Sequence, residues 1–126
     1  MTRPAVVALG GGHGLAASLA ALRLVTDRIT AVVTVADDGG SSGRLREELD
    51  VLPPGDLRMA LAALCDDTEW VHQWRDVLQH RFAGDGQLAG HAVGNLLIVA
   101  PCGLLGDHVG GLDLCGRLLT ARGLVV

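Results

Sequence analysis

Three segments of this chain carry residue types that hold phosphates. The first is Gly10-Gly11-Gly12-His13-Gly14. From Gly12 onward, Gly12-His13-Gly14-Leu15-Ala16-Ala17 fits the pattern G-x-G-x-x-G/A. There the glycines permit a tight turn and close backbone approach, so a phosphate rests on the positive end of the following helix. An ordinary strand-to-helix turn has the same spacing, but a bare turn needs no imidazole such as that of His13. The second segment is the acid pair Asp37-Asp38, a little over twenty residues further on. Acids at the end of a strand accept hydrogen bonds from ribose hydroxyls or hold Mg²⁺ against substrate phosphates; a solvated turn is the plain alternative. The third is Gly39-Gly40-Ser41-Ser42-Gly43-Arg44. Its successive glycine and serine amides can form an anion-binding concavity, with Arg44 or Arg46 to neutralise charge. A flexible surface loop fits it equally well.

Further along, His91 and Asn95 stand four apart and share one face of a helix. They can read a base or a sugar, or simply satisfy backbone groups in a tight turn. Asp56 and Arg58 read as a helix cap and a solvated charge. His72, His80 and His108 lack metal-ligand spacing. There is no HExxH, nucleophile elbow or Walker lysine, so zinc proteolysis, elbow-type serine hydrolysis and P-loop chemistry have no support. No residue is assigned as catalytic.

The elements that must position these residues follow from hydrophobic period and turn signals. Ala5 to Gly10 is a short Val-rich run, expected as a buried parallel strand. Leu15 to Leu24 has helical spacing, and Ile29 to Val35 is a second β-branched run. Strand, glycine turn, helix and strand make a βαβ unit with a right-handed crossover. The polar stretch Gly39–Gly43 is expected as a loop before a short helix around Leu45 to Leu49. Asp56 is expected to cap a helix over Leu57 to Leu64, and Asp67 or Thr68 to start another. In that helix Trp70, Trp74, Val77 and Leu78 fall on one apolar face. His91 to Ala100 reads as a buried helix, Gly106-Asp107 starts a last one through Leu119, and Gly123–Val126 opens a third strand.

The expected fold class is therefore α/β, a Rossmann-like three-layer parallel sheet, with residues 1–126 as one nucleotide-binding domain. A doubly wound sheet normally has five or six strands. This inventory has two and the start of a third, so the chain reads as the N-terminal part of a longer protein, expected to self-associate as a homo-oligomer or to be poorly soluble alone. At 126 residues with 49% hydrophobic and 2% aromatic content, the core must be built from Ala, Val, Leu and Ile. A net charge of −4 argues against a nucleic-acid backbone reader. No apolar run is long enough for a membrane span or secretory signal. Three cysteines without a CxxC pair fit a reduced, cytoplasmic setting.

Taken together, the blocks resemble the YvcK-like family of gluconeogenesis factors, related to the CofD-like 2-phospho-L-lactate transferases. The resemblance rests on Gly10–Gly14, on Thr34-Val35-Ala36-Asp37-Asp38-Gly39-Gly40-Ser41-Ser42-Gly43-Arg44-Leu45-Arg46 and on Pro53-Pro54-Gly55-Asp56-Leu57-Arg58. Arg81-Phe82 and Gly90-His91-Ala92-Val93-Gly94-Asn95-Leu96 complete it. It implies a Rossmann-like domain binding a nucleotide sugar, typically UDP-N-acetylglucosamine, and a role in cell shape and peptidoglycan precursor supply during gluconeogenic growth, without established catalysis. By the same resemblance the glycine turn would contact the diphosphate and Asp37 the ribose or sugar. His91, Gly94 and Asn95 would line the same pocket. The rival expectation is a CofD-like transferase that moves a phospholactyl group to a deazaflavin precursor with Mg²⁺, held by Asp37 and Asp38. An NAD-dependent oxidoreductase ranks last, because no catalytic acid–base pair can be assigned to it.

Overall fold

A computed structural model describes residues 3–37 and 39–126. Asp38, expected in the site, lies outside the described residues. The strand Val6–Gly10 (β1) leads into the helix Gly12–Leu22 (α1) and the strand Ile29–Val33 (β2). Four helices follow, Gly40–Leu49 (α2), Gly55–Leu64 (α3), Glu69–Gln79 (α4) and Val93–Leu105 (α5). The helix His108–Leu118 (α6) and the short strand Leu124–Val125 (β3) end the series.

The strands are parallel and ordered β1-β2-β3. β1 and β2 pair along their whole length, from Val6↔Ile29 to Gly10↔Val33, and β3 joins β2 through Thr30↔Leu124 and Ala31↔Val125. Winding runs in one direction only. Right-handed crossovers that step the same way across a sheet lay their helices on the same face, so α1, α3 and α6 all pack on one side. That side holds Ile29, Ala31, Val33 and Val125 with Leu15, Leu19, Leu57, Leu61, Leu64 and Leu112. The other face is bare, with Val7 65% and Leu9 76% exposed beside an exposed Leu124. The parallel α/β sheet is thus as expected, while its third layer is not supplied by the described residues, because no strand here reverses the winding.

The largest fully buried side chains are Leu19, Leu64 and Leu119, and no aromatic is among the core residues. Two helix starts match their sequence signals. Thr68 Oγ1 accepts from the Val71 amide, and Asp107 accepts from the Val109 and Gly110 amides. Three expectations need correction. The polar stretch Gly40–Gly43 is the first turn of α2 rather than a loop. Asp56 does not cap α3, whose N-cap is Pro54; it sits inside the first turn. Of the expected α4 stripe Trp70, Trp74, Val77 and Leu78, only Leu78 is buried, together with Val71 from outside it, whereas Trp70 is 66% exposed. Finally, α5 continues past Ala100 through Pro101. Proline has no N–H for the carbonyl four residues back, and the Cys115 thiol donates to that Leu97 oxygen at 3.8 Å instead.

Candidate ligand site at converging helix ends

Parallel winding brings the first turns of α1, α2, α3 and α5 to the carboxyl end of the sheet. A cavity of about 330 Å³ opens between them, lined by Gly12 and His13 of α1, Gly40, Ser41 and Ser42 of α2, Gly55 and Asp56 of α3, and Asn95 of α5. Asp37, Gly39, Arg58, Met59 and Arg81 complete the wall. A larger groove of about 760 Å³ runs along α6 and β3, but no helix end other than that of α6 opens on it.

Local sequence explains the wall. Gly12 has φ +63°, a left-handed conformation that favours glycine, and it opens α1 directly after the strand. A Cβ on Gly11 would stand 2.5 Å from Thr34 Oγ1 and closer still to the Asp56 carboxylate. The Asp56 carboxylate therefore lies against the glycine turn. Asp37 is exposed, and its Oδ1 accepts from the Gly39 amide at 3.0 Å, which shapes the entry to α2. The Ser42 hydroxyl accepts from the Gly55 amide at 2.8 Å and ties α2 to the start of α3.

Beneath the cavity runs a directed chain of hydrogen bonds. Arg58 Nη1 donates to Asn95 Oδ1 at 2.7 Å, and Asn95 Nδ2 donates to Ser41 Oγ at 3.0 Å. Ser41 Oγ lies 2.7 Å from His91 Nδ1. A guanidinium can only donate, so it fixes the amide of Asn95, whose Nδ2 faces Ser41 Oγ. Burial lowers the His91 pKa below 6.5, Arg44 and Arg81 lower it further, and Glu48 opposes them, which favours the neutral imidazole. Ser41 and His91 have the contact of a hydroxyl and a base, but both are buried, and Asn95 occupies Ser41 from the other side.

Arg58 is 8% exposed. Its Nε donates to Gln79 Oε1 at 2.7 Å, so both partners assigned to it are neutral amides. Burial draws its pKa below the ordinary guanidinium value, and Arg81 does so further, against the pull of Asp56 and Asp37.

Of the residues expected in the site, Gly12, His13, Asp37, Gly40, Ser41, Ser42 and Asn95 line the cavity. Gly10, Gly11 and Gly14 are not among the lining residues. His91 sits beneath Ser41. Gly94 packs behind the wall, where a Cβ would come within 2.8 Å of Leu78 O and 2.9 Å of Arg58 Cγ. Arg44 is turned away: it donates to the carbonyls of Ala89 and Gln87 and braces the 84–90 loop. Sequence reading missed Asp56, Arg58 and Arg81. One signal was present, since Asp56 and Arg58 are the only charges of α3 and fall in its first turn.

Comparison with known proteins identifies the family. A family model described as 2-phospho-L-lactate transferase CofD matches residues 6–126. The chain belongs to the CofD family. Among its relatives, a Mycobacterium tuberculosis protein of the gluconeogenesis-factor name is 60% identical over 96% of this chain and 35% of its own length. The gluconeogenesis factors of Listeria monocytogenes and Bacillus subtilis are 46% and 45% identical, with 38% of each covered. A crystal structure of a Bacillus halodurans protein superposes with a TM-score of 0.90 at 44% identity, covering 99% of this chain and 39% of that one. This member of the CofD family therefore spans little more than a third of the length of the relatives it matches. No helix among its described residues is long and apolar enough to cross a membrane.

Proposed function

We propose that the chain forms part of a nucleotide-sugar site of the UDP-N-acetylglucosamine type, in a factor that supports cell shape and peptidoglycan precursor supply during gluconeogenic growth. The observation that carries the binding role is the convergence of four helix N-termini on one cavity. Each helix start carries partial positive charge, which favours a ligand rich in oxyanions, although the Gly55 and Val93 amides are already taken by Ser42 Oγ and the His80 carbonyl. Because Asp56 fills the Gly11 side of the turn, the phosphate contacts fall to Gly12 and His13 and to the first turn of α2. Asp37, at the exposed rim, is suited to accept from sugar hydroxyls. The cavity is at the low end of the range for small-molecule sites, room for a diphosphate and part of a ring.

One observation favours a second reading, a Mg²⁺-dependent CofD-like phospholactyl transferase. Asp37 and Asp56 both line the cavity, and Mg²⁺ is commonly held by one or two carboxylates together with substrate phosphates. The donor set fits in kind, although no group of three such ligands gathers among the described residues. Bound there, the ion would neutralise phosphate charge. The chain's own part is to hold the phosphates on helix-end amides and keep Asp37 facing them.

Calorimetric titration with UDP-N-acetylglucosamine, with and without Mg²⁺ and beside NAD, separates the two. Metal-independent binding without turnover supports the first reading; binding only with Mg²⁺, accompanied by group transfer, supports the second. NAD binding alone removes both. Within the first reading, Gly12→Val abolishes binding in a protein that still melts cooperatively, and Asp37→Asn weakens it by about 1.5–3 kcal/mol. Unchanged affinity in either variant removes that residue from the site.

A further inference from the structure

Arginine is almost never fully buried unless it is paired. Arg58 is buried, lines a polar cavity, and has no carboxylate within ion-pair distance among the described residues. Its Nε and one Nη1 hydrogen are taken by Gln79 and Asn95, and none of its nitrogens is a buried orphan. Nη2, which has no partner among the described residues, is therefore not sealed off from accessible space. Arg58 borders two cavities. One is apolar and holds about 10 Å³, no more than a single water. The other is the 330 Å³ cavity at the helix ends.

Arg81 lines that same cavity. Its Nη1 donates to the Gly90 carbonyl at 2.8 Å, which holds the side chain in place without neutralising it. Like charges brought together at the edge of a low-dielectric wall destabilise each other, and here no carboxylate among the described residues pairs with either one. Asp37 and Asp56 line the same cavity and attract Arg58 from a distance without forming an ion pair, so its charge is compensated only in part.

We infer that Arg58 and Arg81 form an oxyanion subsite, prearranged by Asn95 and Gln79, that receives a phosphoryl group of the ligand. The subsite rests on the nucleotide-sugar reading for the identity of the ligand, but not for the charge it binds. It divides the cavity in two. The arginine side takes one phosphoryl group beyond those held at Gly12 and His13, and the Asp56 carboxylate beside Gly11 takes hydrogen-bond donors of the ligand. Planar guanidinium groups suit a phosphoryl because they present paired N–H donors at fixed spacing.

The test is calorimetric titration of the chain with inorganic pyrophosphate, UDP-N-acetylglucosamine and uridine, at about 0.15 M salt so that general surface attraction is screened. Arg81→Gln is the principal variant, since Arg81 is exposed and its loss leaves the core intact. Arg58→Gln is read beside it where circular dichroism shows it folded. Arg117→Gln, on the far helix α6, serves as the charge control. Pyrophosphate affinity should fall at least about tenfold in Arg81→Gln, the scale of one charge-assisted contact, with the control unchanged. Pyrophosphate binding within twofold of the parent, or no pyrophosphate binding by the parent, overturns the subsite. If the parent binds pyrophosphate with the expected loss in the variant but ignores UDP-N-acetylglucosamine, the subsite stands and the nucleotide-sugar reading falls. UDP-sugar binding that is indifferent to Arg81 gives the reverse.

Discussion

Asn95 links a cation to a hydroxyl and is itself almost wholly buried. Truncating it removes one hydrogen bond each from Arg58, which keeps Gln79, and from Ser41, which keeps His91, and an unsatisfied buried group costs about 1–3 kcal/mol, more when charged. Asn95→Ala should therefore lower unfolding free energy by about 2–4 kcal/mol, measured by urea titration. A loss below about 1 kcal/mol would mean that the chain of bonds is not formed in solution. His91 gives the site a pH dependence of known sign. Its folded pKa is lowered from 6.5, so above that value both folded and unfolded imidazoles are neutral and stability is complete. As pH falls below 6.5 the unfolded chain takes up a proton that the folded chain resists, and stability declines toward the folded pKa. The urea midpoint should drop between pH 7.5 and pH 5, and His91→Gln should flatten part of that drop. An equal slope in the variant would assign the effect to other groups. The site was half legible at this scale. The glycines, Asp37, Ser41, Ser42 and Asn95 carry recognisable spacing, whereas Arg58 looked solvated because nothing in a lone charge tells which way a helix faces.

Helix boundaries show why element types were easier to read than element faces. Strand, turn and helix at the start follow from β-branched runs, glycines and leucine spacing, and Thr68 and Asp107 cap their helices as their side chains suggest. The Gly40–Gly43 turn was misread because Gly and Ser are weak helix formers. The loss is offset there by tertiary bonds of the Ser41 and Ser42 hydroxyls. In α4 only Leu78 of the expected apolar stripe is buried, and Val71 rather than the tryptophans joins it. Burial follows where α3 and α5 lie, which gives Val71 and Leu78 the core and leaves Trp70 and Trp74 as an edge-to-face pair with ring centroids 6.0 Å apart. The tryptophans should consequently be quenched readily by acrylamide in the folded protein, with red-shifted emission. Emission near that of a buried indole would mean that the face is covered in solution.

At the scale of the whole molecule, one-way winding explains both the placed helix ends and the uncovered sheet. The same right-handed crossovers that gather four N-termini at one end leave Val7, Leu9 and Leu124 without a covering layer. The folded chain should bind the dye ANS, and Val7→Thr with Leu9→Thr should reduce that binding at a cost below about 0.5 kcal/mol each, as for surface substitutions. A large loss of stability would show that the face is covered. The bare face was foreshadowed in the sequence only as a shortage of strands, since alternation in a five-residue run does not reveal which side a distant helix will occupy.

The attachment of β3 has a kinetic consequence. Its two pairs with β2 close a loop of about ninety residues, and the entropic cost of such a closure is roughly 4 kcal/mol. The β1–α1–β2 unit closes a loop of only about twenty residues, so it can form while the rest of the chain is still open. The far strand then docks last, once α3 and α6 provide a surface for Val125. In hydrogen exchange, the Val33 and Val126 amides that bond across this seam should open well before those joining β1 to β2. The edge of the sheet at β3 is thus a late-closing seam, the first to part when the molecule breathes.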